Sequence, residues 1–311
     1  MADGYTETPC NIAEIIPYVI MERETIVNEI LIKQKCYFYD TCSFRWHANL
    51  KKNDVEYILK YIREQDGVVI ITRCILMELA SHSGILRQEY ITYIKNIQEC
   101  GIPVLVMYEE DLFIVMGSCY STNAAINQYL TWVVRYLKNP ASTIARTFEE
   151  ENNLYEEVIK GKNANNGDIY RRFFTAVRGK KERDDNLGEE LLAICLHILS
   201  NLPAEEDGKF CMITEDKGAA GKIDTLFKNT AKQYAGKKIT IFSTPKLVQV
   251  LYRQSILQER ECIKSILDTG ANGNIVVLGA LIYDIRSKDI SLSSEELADL
   301  IVQPNGISII F

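Results

Sequence analysis

The feature that narrows the fold most is an alternation. Short runs of apolar, strand-forming residues at 36–39 (CYFY), 68–72 (VVIIT), 102–108 (IPVLVMY), 210–214 (FCMIT) and 238–242 (KITIF) are separated by longer stretches with helical spacing. Apolar runs of that length suit strands covered on both faces. Strand, helix, strand, helix, strand predicts a parallel sheet and therefore an α/β protein, because a parallel neighbour is reached only through a crossover. In such sheets ligands gather outside the carboxyl ends of the strands. Asp40 stands at that position after the first run, in CYFYDTCS, with Thr41, Cys42 and Ser43 following at once. Asp is equally a turn and helix-capping residue, so the question is whether other acids reach the same place.

At 311 residues the chain suits one core of about 200 to 250 residues with appendages, or two domains. No apolar run approaches the roughly 18 to 20 residues that span a bilayer, and MADGYTETPC has neither a basic nor an apolar leader region. A soluble, cytoplasmic protein is the expectation. Nine cysteines, odd in number and mostly set in apolar runs without a C-x-x-C pair, read as buried hydrophobes in a reducing compartment. Three histidines (His47, His82, His197) argue against a histidine-rich metal site. The net charge of −7 argues against general coating of polyanions and leaves room for a local basic groove or metal-bridged phosphate binding.

Along the chain, residues 11–33 predict one amphipathic helix that packs on the core. Residues 44–67 hold Phe44, Trp46 and His47 beside Asp40, then a helix; His47 is expected at the surface or as a cap, with a substrate contact kept open. RCILMELA places Glu78 on a helix among apolar neighbours, where it needs a partner or the core's edge. Residues 110–180 turn helical and more polar and read as an inserted lid. At its end Arg171, Arg172, Arg178, Lys180, Lys181 and Arg183 interleave with Tyr170, Phe173 and Phe174. That run is either a solvated helix end or a phosphate-tracking surface with stacking aromatics. The helix after it opens on Glu189 and Glu190, which the macrodipole alone would favour. The fourth run ends in Glu215 and Asp216, and residues 251–311 look like a small C-terminal α/β extension.

The acids therefore come in an order: Asp40, Glu78, Glu189, Asp216. In a parallel sheet the first and last share one edge, and a helix N-terminus entering there brings Glu189 in. Clustered carboxylates are costly unless a cation neutralises them, and hard oxygens select Mg²⁺ or Mn²⁺.

The segments YDTCS, MELASH, LGEELLAICLHI and CMITEDKGAAGK, followed by ITIFST, resemble the PIN-domain ribonucleases over about residues 35–110 and 185–250. The resemblance implies a Rossmann-like α/β/α sandwich with a central, mostly parallel sheet, and metal-dependent cleavage of RNA. On that reading residues 1–34 are an N-terminal helix, 35–250 the nuclease domain with its insertion, and 251–311 an extension. Asp40, Glu78, Glu189 and Asp216 would hold one or two Mg²⁺ or Mn²⁺ ions, with Ser43, Thr214 and Glu215 orienting water or a carboxylate. Arg171, Arg172, Arg178, Lys180 and Lys181 would hold flanking phosphates, with Lys217 nearer the metal. Asp184 or Asp185 is an alternative to Glu189. The expected partner is single-stranded or loop RNA, with single-stranded DNA, self-association and an inhibitory or activating protein left open. Two departures from the family are the long insertion and the last 60 residues. The competing readings are a catalytically silent scaffold that binds RNA or protein, and a Mg²⁺-dependent phosphatase, which would want a second Asp where Cys42 stands. No G-x-G-x-x-G follows a strand, which disfavours dinucleotide binding.

Overall fold

A computed structural model describes residues 4–137, 141–203, 205–231, 236–270 and 273–311. Each of the five runs forms a strand: β1 Lys35–Tyr39, β2 Gly67–Thr72, β3 Val104–Met107, β4 Phe210–Ile213 and β5 Thr240–Phe242. They make one sheet in the order β3-β2-β1-β4-β5. Every pairing in it is parallel, and helices cover both faces. All six residues of β2 are buried, as a sheet covered on both sides requires. The chain moves outward from β1 to β2 and β3, then returns across the sheet to add β4 on the other side of β1. The reversal opens a crevice between the carboxyl ends of β1 and β4, the place where α/β sheets bind ligands.

The insertion is helical, as expected. It runs through helices Leu112–Gly117, Asn123–Tyr136, Thr143–Glu150, Asn152–Val158 and Ile169–Arg178. It is also part of the core: Leu130, Val133, Leu154, Phe173, Phe174 and Val177 are fully buried.

The N-terminal expectation needs correcting. Residues 11–33 are not one helix but two single turns, Ile12–Glu14 and Ile16–Tyr18, then an extended step and a helix Arg23–Ile32. Pro17 sits in the second turn, where it cannot supply the N–H that a continuing helix needs. The freed backbone at Ile20 instead makes a parallel bridge to Leu105 of β3. The C-terminal extension builds a separate three-stranded antiparallel sheet in the order β7-β6-β8, from β6 Ile275–Leu281, β7 Lys288–Leu292 and β8 Ile307–Ile309. Among the described residues no helix is long and apolar enough to cross a membrane.

Candidate active site

Asp40 closes β1 and heads the helix Thr41–Ala48, so the strand's direction and the cap requirement point its carboxylate into the crevice. It is 4 % exposed, and its oxygens accept from the Thr41 amide (2.7 Å), the Cys42 thiol (2.9 Å) and the Thr214 hydroxyl (2.8 Å). Thr214 thus bridges the two strand ends, because its oxygen also accepts from the Asp216 amide at 3.0 Å. Burial and the adjacent Asp40 carboxylate push the Cys42 thiol up. A protonated thiol donates to Asp40 and is no nucleophile.

Asp216 caps the helix Lys217–Thr230, accepting from the Ala219 amide at 3.0 Å. Glu189, in the first turn of the helix Leu187–Ser200, meets it carboxyl to carboxyl. Burial raises the Glu189 pKa to about 7, helped by the charge of Asp216, the hydrogen bond between the two, and the charge of Asp40. Burial would raise Asp216 as well, but the Ala219 amide and the Glu189 hydrogen bond outweigh it and hold its pKa low. The pair therefore splits into a proton holder, Glu189, and a proton acceptor, Asp216. Among the described residues Lys222, 3.4 Å from Glu189, is the one cation in ion-pair contact with Asp40, Glu189 or Asp216.

Glu78 reaches the same cleft but is already engaged. Its carboxylate accepts from the Thr41 hydroxyl and lies 3.0 Å from the Lys181 ammonium, which also pairs with Asp185. The start of the Leu187 helix lies against it so closely that a Cβ on Gly188 would stand 2.5 Å from Glu78 Oε1. That contact is why a glycine precedes Glu189. Burial would lower the Lys181 pKa, but Glu78 and Asp185 overcome that and raise it, so the ammonium stays charged.

Glu215 turns inward. It accepts from Ser43 Oγ (3.0 Å), the Thr244 amide (2.9 Å) and the Thr244 hydroxyl (2.5 Å). Through Thr244 this network continues to His47, Tyr39 and Tyr93. His47 is fully buried, which lowers its pKa to about 3. The surface or capping role expected for His47 is therefore corrected: it is a neutral member of a polar core network beneath the cleft.

The expectation for the basic run also fails in part. Arg178 is 1 % exposed, and its guanidinium holds Glu109 (2.6 Å), Glu110 (2.5 Å) and Glu7 (2.9 Å). Lys181 is 9 % exposed at the cleft wall and is paired with Glu78 and Asp185, so neither cation is a free phosphate clamp. Opposed carboxylates far away in sequence drew both inward, which a local charge run does not reveal. Arg171, Arg172 and Lys180 pair with Asp168, Glu157 and Glu150 and do not line the acidic cleft. Lys217 is exposed beside Asp216 and pairs with Asp289 of β7. Asp185 is a loop organiser, accepting from the Glu182 amide (2.9 Å), the Leu187 amide (3.2 Å) and Thr143 (3.0 Å). Asp184 is exposed with a φ of +59°, which leaves Glu189 as the acid beside Asp216.

Asp40, Glu78, Lys181, Asp185, Glu189 and Asp216 line one open cleft of about 690 Å³. Residues whose part in it was not foreseen are Tyr5, Arg45, Ser81, His82 and Asn186; Arg45 lies on the helix Thr41–Ala48 and the others in loops and turns, where a single polar side chain gives no local signal. Asp40, Glu189 and Asp216 offer the hard carboxylate oxygens that Mg²⁺ and Mn²⁺ prefer, and their mutual repulsion is what a cation relieves. Among the described residues no group of three or more His, Cys, Asp or Glu side chains is already disposed to hold an ion. No protein-family model, curated protein or solved structure matches the chain.

Proposed function

We propose that the protein is a metal-dependent nuclease of the PIN-domain kind that cleaves single-stranded RNA. The observation that carries this reading is the crowding of Asp40, Glu189 and Asp216 at the crevice between β1 and β4, with Glu189 raised to about 7. Carboxyls are brought together without matching cations at functional sites far more readily than in a core. Asp40, Glu189 and Asp216 are the residues that would hold a Mg²⁺ or Mn²⁺ ion. When bound, such an ion supplies an activated water and positive charge for a phosphodiester.

The chain's own groups have separate tasks in this reading. Thr214 and the Thr41 amide keep Asp40 oriented. Glu189 carries a proton near neutral pH and is placed to give it up when its neighbours bind a cation. Lys181 engages Glu78 and Asp185 at the cleft wall, which leaves Asp40, Glu189 and Asp216 for the ion.

The test is cleavage of a panel of RNA and single-stranded DNA in Mn²⁺, Mg²⁺ or EDTA by wild type, Asp40→Asn and Asp216→Asn. Metal-dependent cleavage lost in both variants is the expected result. Cleavage equal in all three proteins overturns the reading. The Lys181–Glu78 pair, which engages the fourth acid of the cleft, favours as second reading a catalytically silent scaffold. That scaffold predicts no cleavage in any metal and an affinity for RNA that Asp40→Asn leaves unchanged.

A further inference from the structure

One rim of the acidic cleft is aromatic, and nothing in the proposed chemistry uses it. Residues 4–11 run as an arm past the turn Ser81–Ser83 that follows the Glu78 helix. The arm is pinned at several points. The Glu7 carboxylate takes Arg178 at 2.9 Å and its carbonyl takes Arg73 at 3.2 Å. The Cys10 amide donates to Gly84 O at 2.7 Å. The Asn11 side chain exchanges two hydrogen bonds, 3.0 and 2.9 Å, with the backbone of Leu86.

This anchoring delivers Tyr5 to the cleft, where its ring meets the His82 imidazole with centroids 4.6 Å apart. The Lys181 ammonium lies 5.2 Å from the same ring. The turn that presents His82 is strained. Ser81 holds a φ of +51° with a ψ of −160°, a region L-residues rarely adopt, and it lines the cleft too. Backbone strain of this kind persists where surrounding structure enforces it, and it concentrates at ligand-binding sites. His82 is exposed and Tyr5 half-buried, so the pair is not core packing.

The cleft's charge says which ligand chemistry suits that pair. Asp40, Glu78, Asp184, Asp185, Glu189, Glu215 and Asp216 all line it, and they repel phosphates more than Arg45, Arg183 and Lys181 attract them. A strand entering here gains little from its backbone apart from a metal ion. Stacking on a base is indifferent to that repulsion, because every base offers a π-face.

We propose that Tyr5 and His82 form a stacking platform for one base of a single-stranded nucleic acid entering the acidic cleft. The inference rests on the nuclease reading for the identity of the ligand, and its test needs no catalysis.

The experiment uses the full chain with end-labelled eight-nucleotide RNA, the same sequence as DNA, and an abasic counterpart with the same phosphates. Binding is read by fluorescence anisotropy in Ca²⁺. Tyr5→Ala and His82→Ala are each expected to weaken binding of the base-bearing strands by about tenfold. Tyr5→Phe is expected to bind as wild type, and none of the three to alter binding of the abasic strand. Unfolding midpoints equal to wild type establish that the variants are folded.

Equal affinity of wild type and Tyr5→Ala overturns the platform. So does an equal loss on the abasic strand, or no binding by wild type. An effect confined to RNA also overturns it, because stacking does not read the 2′-hydroxyl. The two readings fail separately. Base-dependent binding without metal-dependent cleavage removes the nuclease and keeps the platform; metal-dependent cleavage with a KM unmoved by Tyr5→Ala does the reverse.

Discussion

Arg178 and Lys181 are three residues apart, yet they enter two charge clusters built on opposite terms. Arg178 goes into the core, where Glu7, Glu109 and Glu110 surround one guanidinium and Glu109 also accepts from the Cys74 amide at 2.8 Å. The rings add to it: Arg73 stacks 4.0 Å from the Tyr108 centroid, and Arg178 lies 5.2 Å from the same ring. Lys181 goes to the cleft, where it pairs with Glu78 and Asp185 and leaves Asp40, Glu189 and Asp216 to face one another. In the first cluster every carboxylate reaches the buried guanidinium, and Glu109 a backbone amide as well, as buried charge requires. The second is left short of positive charge in an open crevice. A cluster that satisfies itself ties elements together, whereas one that does not is suited to binding something.

The difference predicts which property fails when each cluster is broken. Arg178→Met leaves buried carboxylates without a partner and is expected to cost about 3 to 5 kcal/mol of stability, read from urea unfolding. A loss under 1 kcal/mol would mean that the inner cluster is no tie. Asp40→Asn is expected to lower metal-dependent cleavage by about a thousandfold, in line with the several kcal/mol a metal ion contributes to charge stabilisation. Its unfolding midpoint should not fall. A variant that loses stability but keeps cleavage would erase the contrast between the clusters.

Glu189→Gln sharpens the comparison through pH. A carboxyl whose pKa is higher folded than unfolded contributes stability that is present at low pH and lost as pH rises through the folded value. With burial and Asp216 raising Glu189 to about 7, metal-free wild type should lose stability between about pH 4.5 and 7. The Gln variant should lack that decline and be more stable than wild type at pH 8. We expect about 1 kcal/mol, discounted for solvent at this partly open site. Thermal melts at pH 5 and pH 8 decide it, and parallel curves for the two proteins would count against the coupling.

The smallest effect is expected outside both clusters. The change Arg171→Gln removes an exposed cation that pairs with the partly exposed Asp168 and lies off the cleft. Stability should move by no more than about 0.5 kcal/mol. The salt dependence of oligonucleotide binding should stay as in wild type; a flatter slope would restore this arginine to the nucleic-acid path.

Much of this was legible in the order of residues. An unbroken apolar run has one economical use in an α/β chain, so the five strands and the positions of Asp40 and Asp216 at their ends could be read directly. Glu189 could be read from the Gly188-Glu189 helix start, and the 2.5 Å approach of a Gly188 Cβ to Glu78 gives that glycine a steric reason. Pro17 was visible too, but its consequence, an extended step paired with β3, depended on a neighbour distant in sequence.

The alternation of apolar and helical segments determined the sheet, its parallel sense and the edge at which the acids stand, because those follow from local periodicity and crossover geometry. Only the tertiary structure decided what each charge does. Arg178 and Lys181 look alike in a basic run, and Asp216 and Glu215 look alike after a strand. One arginine is drawn into the core by acids from Glu7 and the Glu109–Asp111 turn, and one of the two tandem acids is turned inward by Ser43 and Thr244. Burial energies and ion pairs depend on partners tens of residues away, and no window of sequence contains them.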